Sequence, residues 1–382
     1  MSMKTVSLVA LLAMTSACGG ATEPDIETSS ITDETMMQEE AAPVATPPKD
    51  DAKEALSKIQ SQTRPGVVVL DPAGTGLFPE GATVEKLTDA QFKWSEGPVW
   101  IKDGNYLLFT DVPENTMYRW TESEGISTFL KPSGLANPPS GVFREAGANG
   151  LIAGRKPGTI LMGDHGNRAI AELDLATKKK TFLVRFFEGK SLNSPNDLVL
   201  ASNGSIYFTD PPYGLEGGDE STVKELPFNA VYRFVAESLE GQPLLEVVDE
   251  SLTRPNGVIL SPDEESLFVT VSDPESAMVY RYPLSDDGMP LGRETIWDAT
   301  PMVQAGLAGL PDGMAMAKDG TLFTTGPGGV HVFDKDGKHL AVIVTGSAAA
   351  NCTFGGPDGK TLYITSGAFL ARIKTNLTGV GF

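Results

Sequence analysis

One phrase returns six times along this chain: a small or polar turn, a short apolar strand, an Asp-Gly-like turn, a second apolar strand. It reads EGPVWIKDGNYLLFTD from Glu96, ANGLIAGRKPGTILMGD from Ala148 and PNDLVLASNGSIYFTD from Pro195. It returns as PNGVILSPDEESLFVT from Pro255, PDGMAMAKDGTLFTTG from Pro311 and CTFGGPDGKTLYITS from Cys352. A spacing of roughly 40–60 residues is that of propeller blades. The DG, NG and DE pairs between the strands are hairpin turns, where Asn, Asp and Gly tolerate positive φ. Several copies run on into a third strand, as in MYRW, AVYRFV and VHVF. The 41 Gly and 27 Pro suit a chain full of tight turns rather than a helical one. The repeat predicts an all-β, six-bladed β-propeller with four-stranded blades over residues 61–382. The segment Val67–Leu87 is expected to supply the outer strand of the last blade.

What precedes the repeats cannot join that core. Lys4 leads into an apolar run from Val6 to Met14, then Thr15, Ser16, Ala17 and Cys18. The run is too short to span a bilayer but fits a secretory h-region. Small residues before a Cys, with Gly19 and Gly20 after it, resemble a bacterial lipoprotein signal, which implies lipidation of Cys18. From Ala21 to Glu54 there are ten acidic residues against two lysines and no aromatic residue. Such a stretch buries too little apolar surface to offset its ordering entropy. The expected organisation is therefore a signal peptide at 1–17, a flexible acidic linker at 18–60, and the propeller. The protein is expected to be exported, to the periplasm or cell surface, and held to a membrane only by its lipid, with residues 1–60 dispensable for activity.

Composition excludes several chemistries. With 30 Lys and Arg against 50 Asp and Glu, the formal charge is −20, and a phosphate backbone is repelled. Two cysteines cannot build a disulfide framework or a thiolate zinc site, and a three-histidine site would consume all of His165, His331 and His339. No G-x-S-x-G, H-E-x-x-H or C-x-x-C occurs.

The first residues of the repeats are a different matter. In a propeller the start of each innermost strand crowds one mouth of the central channel. These starts read Glu96, Asn149, Asn196, Asn256, Asp312 and, in the last blade, Thr353. Glu96, Asn196, Asn256 and Asp312 offer two carboxylates and two amide oxygens, a hard donor set that suits Ca²⁺, with Mg²⁺, Mn²⁺ or Zn²⁺ as alternatives. Each alone is an ordinary turn residue; their shared register singles them out. His165, in GDHGNR, is either a hydrogen-bonded structural residue or a substrate contact beside the second blade. Cys352 reads as an inert core thiol.

The segments SEGPVW, LNSPNDLVLASNGSIYFTDPPYG, RPNGVILSPDEESLFV, LPDGMAMAKDG and FGGPDGKTLYIT resemble the bacterial gluconolactonase branch of the regucalcin (senescence marker protein) family, from about Gln91 to the end. The resemblance implies a six-bladed propeller with one divalent metal, usually calcium, and hydrolysis of sugar lactones or related cyclic esters. It makes Glu96, Asn256 and Asp312 metal ligands, with Asp312 also the catalytic proton acceptor, and turns Asn196 toward metal or substrate. Asn149 matches the family's ANG motif, with Asn137 the alternative, and is carried over with Asn196 and His165 as substrate-binding. The substrate-binding arginine two residues before Asn196 is replaced by Ser194. On this reading the metal polarises the lactone carbonyl while Asp312, or a hydroxide on the metal, delivers water. The alternatives are phosphotriester or aryl-ester hydrolysis at the same site, and a non-catalytic ligand-binding propeller.

Overall fold

The computed structural model describes residues 49–89, 91–236 and 242–382. The signal segment, Cys18 and the linker up to residue 48 lie outside the described residues. Six antiparallel sheets follow one another along the chain. Blade 1 comprises Ser95–Ile101, Tyr106–Asp111, Thr116–Thr121 and Gly125–Leu130; blade 2 comprises Ala148–Ala153, Thr159–Asp164, Ala169–Asp174 and Lys180–Val184. Blade 3 holds Leu198–Leu200, Ile206–Asp210, Ala230–Val235 and Leu244–Asp249, and blade 4 holds Pro255–Leu260, Ser266–Asp273, Ser276–Pro283 and Glu294–Asp298. Blade 5 is built on Met314–Met316, Leu322–Gly326, Gly329–Phe333 and His339–Val344, and blade 6 on Asn351–Gly355, Thr361–Ser366 and Phe369–Lys374.

The central strands are buried on both faces and accordingly read as unbroken apolar runs, such as Leu107, Leu108 and Phe109 in blade 1. Six apolar wedges fill the six blade interfaces. Val99, Leu108 and Met117 of blade 1 meet Leu151 and Ile160 of blade 2 in one wedge. The remaining wedges repeat that arrangement around the ring. The last of them sets Trp100 and Trp120 against Tyr363 and Leu370, which joins blade 1 to blade 6.

Closure is made twice by the segment ahead of the repeats. Glu85–Lys86 pairs with Phe369–Lys374 and completes blade 6, with Arg372 Nε donating to Glu85 at 2.7 Å. Gly66–Val69 pairs instead with His339–Val344, so blade 5 has a fifth strand, which the expectation of a single outer strand from Val67–Leu87 did not contain. Ser95 locks the ring further, its backbone N and its Oγ both donating to Gly367 O at 2.8 Å.

The flexible linker expected through residue 60 is corrected here. Lys49–Ser61 form a helix, α1, in which Ala55 and Ile59 sit one turn apart and are 6% and 4% exposed. They enter the apolar wedge of Trp297, Met302, Phe333 and Val344 between blades 4 and 5. Two apolar residues at i and i+4 suffice to bury one helix stripe, even where the surrounding composition is acidic. No described helix is long and apolar enough to cross a membrane.

Candidate active site at one mouth of the channel

In each blade the start of the inner strand lies beside the end of the second strand, as Glu96 lies opposite Thr110. There a threonine hydroxyl reaches sideways and pins the main chain of the next blade. Thr110 Oγ1 donates to Asn149 O at 3.1 Å, Thr209 to Asn256 O at 2.5 Å, Thr270 to Asp312 O at 2.8 Å and Thr325 to Ala350 O at 3.1 Å. In blade 2 the threonine position is Gly163, because a Cβ there would lie 2.4 Å from Pro195 O and 2.5 Å from Asn196 O. The pinned positions are Asn149, Asn256, Asp312 and Ala350; Asn196 O accepts instead from Gly150 N at 2.9 Å, and Glu96 is the member from blade 1.

This register corrects the sixth blade. Its start is Ala350, not Thr353: the last repeat, read from Cys352, begins too late because its first residue is apolar and gave no signal. Asn137 stands in an exposed loop, so Asn149 is the ring residue.

The structure brings Glu96, Asn196, Asn256 and Asp312 together from blades 1, 3, 4 and 5. Glu96, Asn196 and Asn256 are 3%, 3% and 6% exposed, while Asp312 keeps more of its surface open. Glu96 is fixed by Trp94 Nε1 and by Gly97 N, each donating to one carboxylate oxygen at 3.1 Å. Asn196 Nδ2 donates to Asn256 Oδ1, and Asn256 Nδ2 donates to Ser272 Oγ at 2.8 Å. Asn196 Oδ1 is left buried with no partner.

Charge is the second signature. Burial pushes the Glu96 carboxyl up to about 8 against its two hydrogen bonds, helped by the negative charges of Asp197 and Glu145. Burial also holds Asp312 well above the usual carboxylate range, followed by the charges of Glu96, Asp197 and Glu145. An orphaned amide oxygen and two crowded carboxyls fit a hard divalent ion, which would satisfy the one and neutralise the other. Among the described residues no group of three or more His, Cys, Asp or Glu is placed for a metal, so the amides are essential to the donor set.

Three residues of this region escaped sequence reasoning. Asp197 and Asn351 occupy the position that is glycine in the other blades (Gly97, Gly150, Gly257, Gly313). A Cβ on Gly150 would sit 2.6 Å from Asp197 Oδ1, and one on Gly313 would sit 1.9 Å from Asn351 Cγ. Burial pushes the Asp197 carboxyl to about 7. The signal was present as ND and NC where the other repeats have a glycine. The third is Glu145, in the loop leading to Asn149. That loop pairs with the 211–217 loop through Arg144 N to Gly214 O at 3.0 Å and Glu216 N to Val142 O at 3.0 Å. His165 lies beneath them, fully buried, with Nδ1 3.6 Å from Glu145 Oε2. Ser194 ties the same loops down, donating to Pro211 O at 2.6 Å and accepting from Gly214 N at 2.9 Å.

Past the Asp197 layer the channel widens into a cavity of about 640 Å³ lined by Trp100, Leu151, Leu200, Met316, Cys352 and Phe354, open at the opposite mouth. Burial raises the Cys352 thiol far above its ordinary value.

Residues 94–368 match the family model described as SMP-30/Gluconolactonase/LRE-like region. The gluconolactonase of Zymomonas mobilis is 41% identical over 332 residues, covering 86% of this chain and 91% of that protein. Among solved structures, a gluconolactonase from Xanthomonas campestris superposes with a TM-score of 0.68 at 29% identity, over 82% of this chain and 94% of that one. A calcium-binding regucalcin from Agrobacterium tumefaciens gives 0.60 at 18% identity, over 79% of this chain and 96% of that one, a likeness of fold.

Proposed function

We propose a function from one premise: the chain belongs to the SMP-30/gluconolactonase/LRE-like family. It is a lactone hydrolase acting on sugar lactones or related cyclic esters. Glu96, Asn196, Asn256 and Asp312 hold a divalent cation, and the all-oxygen donor set favours calcium. When bound, the cation supplies Lewis acidity to the lactone carbonyl and neutralises the two carboxylates.

The chain's own groups do the rest. Glu96, held by Trp94 and Gly97, is fixed in place and suits a ligand. Asp312 is the more open of the two carboxylates and sits among negative charges that raise its proton affinity. It accepts the proton of the attacking water. Asn149 and Asn196, with their main chains pinned at the ring, orient the substrate beside it. The observation that carries the reading is the unpartnered, buried Asn196 Oδ1 at the same ring as the two crowded carboxyls of Glu96 and Asp312.

The test is hydrolysis of a panel of lactones, aryl esters and phosphotriesters by the calcium-loaded protein, with and without EDTA. Chelator-sensitive turnover of lactones above the other classes supports the reading. Turnover of none of them with calcium present leaves a binding propeller and overturns it. We extend the proposal to the N-terminus, where Cys18 is lipidated and anchors the exported protein. Recovery of an exported Cys18→Ser protein with the membrane fraction would refute that anchor.

A further inference from the structure

The hydroxyl of Ser194, at the place where the resemblance puts a sugar-binding arginine, is spent on the 211–214 loop and offers nothing to a ligand. A substrate rich in hydroxyls needs another partner, and the roof of the site carries one. Arg144 N and Glu145 N both donate to Gly214 O, at 3.0 and 3.3 Å, which fixes the main chain of Glu145 against the neighbouring loop. Its side chain is held loosely on both sides, Oε1 lying 3.4 Å from Arg144 Nη2 and Oε2 lying 3.6 Å from His165 Nδ1. Its charge is felt by Glu96 and by Asp312, so the carboxylate lies near both.

His165 gives the independent observation. The ring is fully buried, and neither nitrogen has a hydrogen-bond partner. Gly214 leaves no slack over it, since a Cβ there would lie 2.8 Å from His165 Cβ. A buried imidazole without partners is costly unless its neighbour closes on it. The group in reach is Glu145, and distances of this kind tighten when a ligand orders the site.

We propose that Glu145 is the specificity-determining residue for polyhydroxylated lactones, accepting hydrogen bonds from substrate hydroxyls, and that His165 is the positioning residue that holds its carboxylate. An ionised carboxylate is purely an acceptor, so it reads O–H donors and gives a lactone without hydroxyls nothing. The substrate lies with its carbonyl toward Asp312 and its hydroxyl-bearing carbons toward Glu145. The inference rests on the lactone-hydrolase reading.

The experiment compares an aldonolactone with δ-valerolactone, which has the ring ester and no hydroxyls, on calcium-loaded wild type, Glu145→Gln, Glu145→Asp and His165→Phe. In Glu145→Gln, KM for the aldonolactone is expected to rise about tenfold or more, with kcat changed far less, and the preference over δ-valerolactone to collapse by the same factor. Glu145→Asp recovers part of the preference. His165→Phe moves it in the same direction as Glu145→Gln, by less. A KM that rises equally for both lactones, or for neither, overturns the inference while lactone turnover still stands. A wild type inactive on every lactone removes the reading beneath it instead. Thermal melting of each variant identifies any that fail to fold, and in that event Glu145→Asp decides alone.

Discussion

The two mouths of the channel are lined by the same six inner strands, yet they carry opposite chemistry. At the starts of the strands sit Glu96, Asn149, Asn196, Asn256 and Asp312, crowded and largely buried. At their ends sit Trp100, Leu200, Met316 and Phe354 around an open cavity of about 640 Å³. That cavity is therefore not where the crowded carboxyls and amides of the ring sit. A strand start near the axis concentrates side chains from different blades, so a few polar residues there come within reach of one another. At the strand ends the same geometry leaves apolar side chains around the cavity, with Lys102, Arg155, Lys156 and Glu264 also in its lining. The pinned carbonyls belong to the first mouth, where four threonines reach across to the next blade.

The largest expected effect breaks the polar mouth directly. Asp312→Asn should lower lactone turnover by about 10²–10⁴-fold with circular dichroism unchanged, because it removes the proposed proton acceptor and one proposed anionic ligand while keeping the shape. Next comes the support of that mouth from outside. Ile59 of α1 packs on the turn joining the second and third strands of blade 5, where a Cβ on Gly328 would lie 2.9 Å from Ile59 Cγ2. Ile59→Ala should cost about 2–4 kcal/mol in denaturant unfolding. Deletion through residue 48 should leave the unfolding midpoint in place, and deletion through Ser61 should lower it.

A third effect separates the ion-free from the loaded mouth. In chelator-stripped protein the Glu96 carboxyl is raised from its ordinary 4.5 to about 8, so between those values the folded state binds more protons than the unfolded one. Its contribution to stability therefore falls as pH rises through that window. Melting temperatures of stripped protein should drop from pH 5 to pH 8 relative to calcium-loaded protein, and parallel curves would speak against the crowded carboxyls. The smallest effect concerns the apolar mouth. Cys352→Ala enlarges the cavity beside Asn351 and should change turnover less than twofold, with thiol reagents reacting slowly in the native state.

How much of this was legible in the sequence follows from what each feature depends on. The blades were readable because their turns are local chemistry and their strands are unbroken apolar runs. That Glu96, Asn196, Asn256 and Asp312 share one end of the channel was legible because register along the chain becomes adjacency around the axis. Ala350 was not, since an apolar residue at a polar position leaves nothing to align. Glu145 was hidden because its partners, Gly214 and His165, meet it only through two packed loops. The core role of Ala55 and Ile59 was masked by the acidic residues around them, which averaged the segment into a spacer.

In the proposed mechanism the polar mouth works through a cation held by Glu96, Asn196, Asn256 and Asp312. Its most direct test is gluconolactone hydrolysis by chelator-stripped protein, measured as calcium is titrated back. Activity is expected to be lost on stripping and to return with about one equivalent of calcium per chain. Full turnover by the stripped protein, or recovery that is the same in Asp312→Asn, would contradict it.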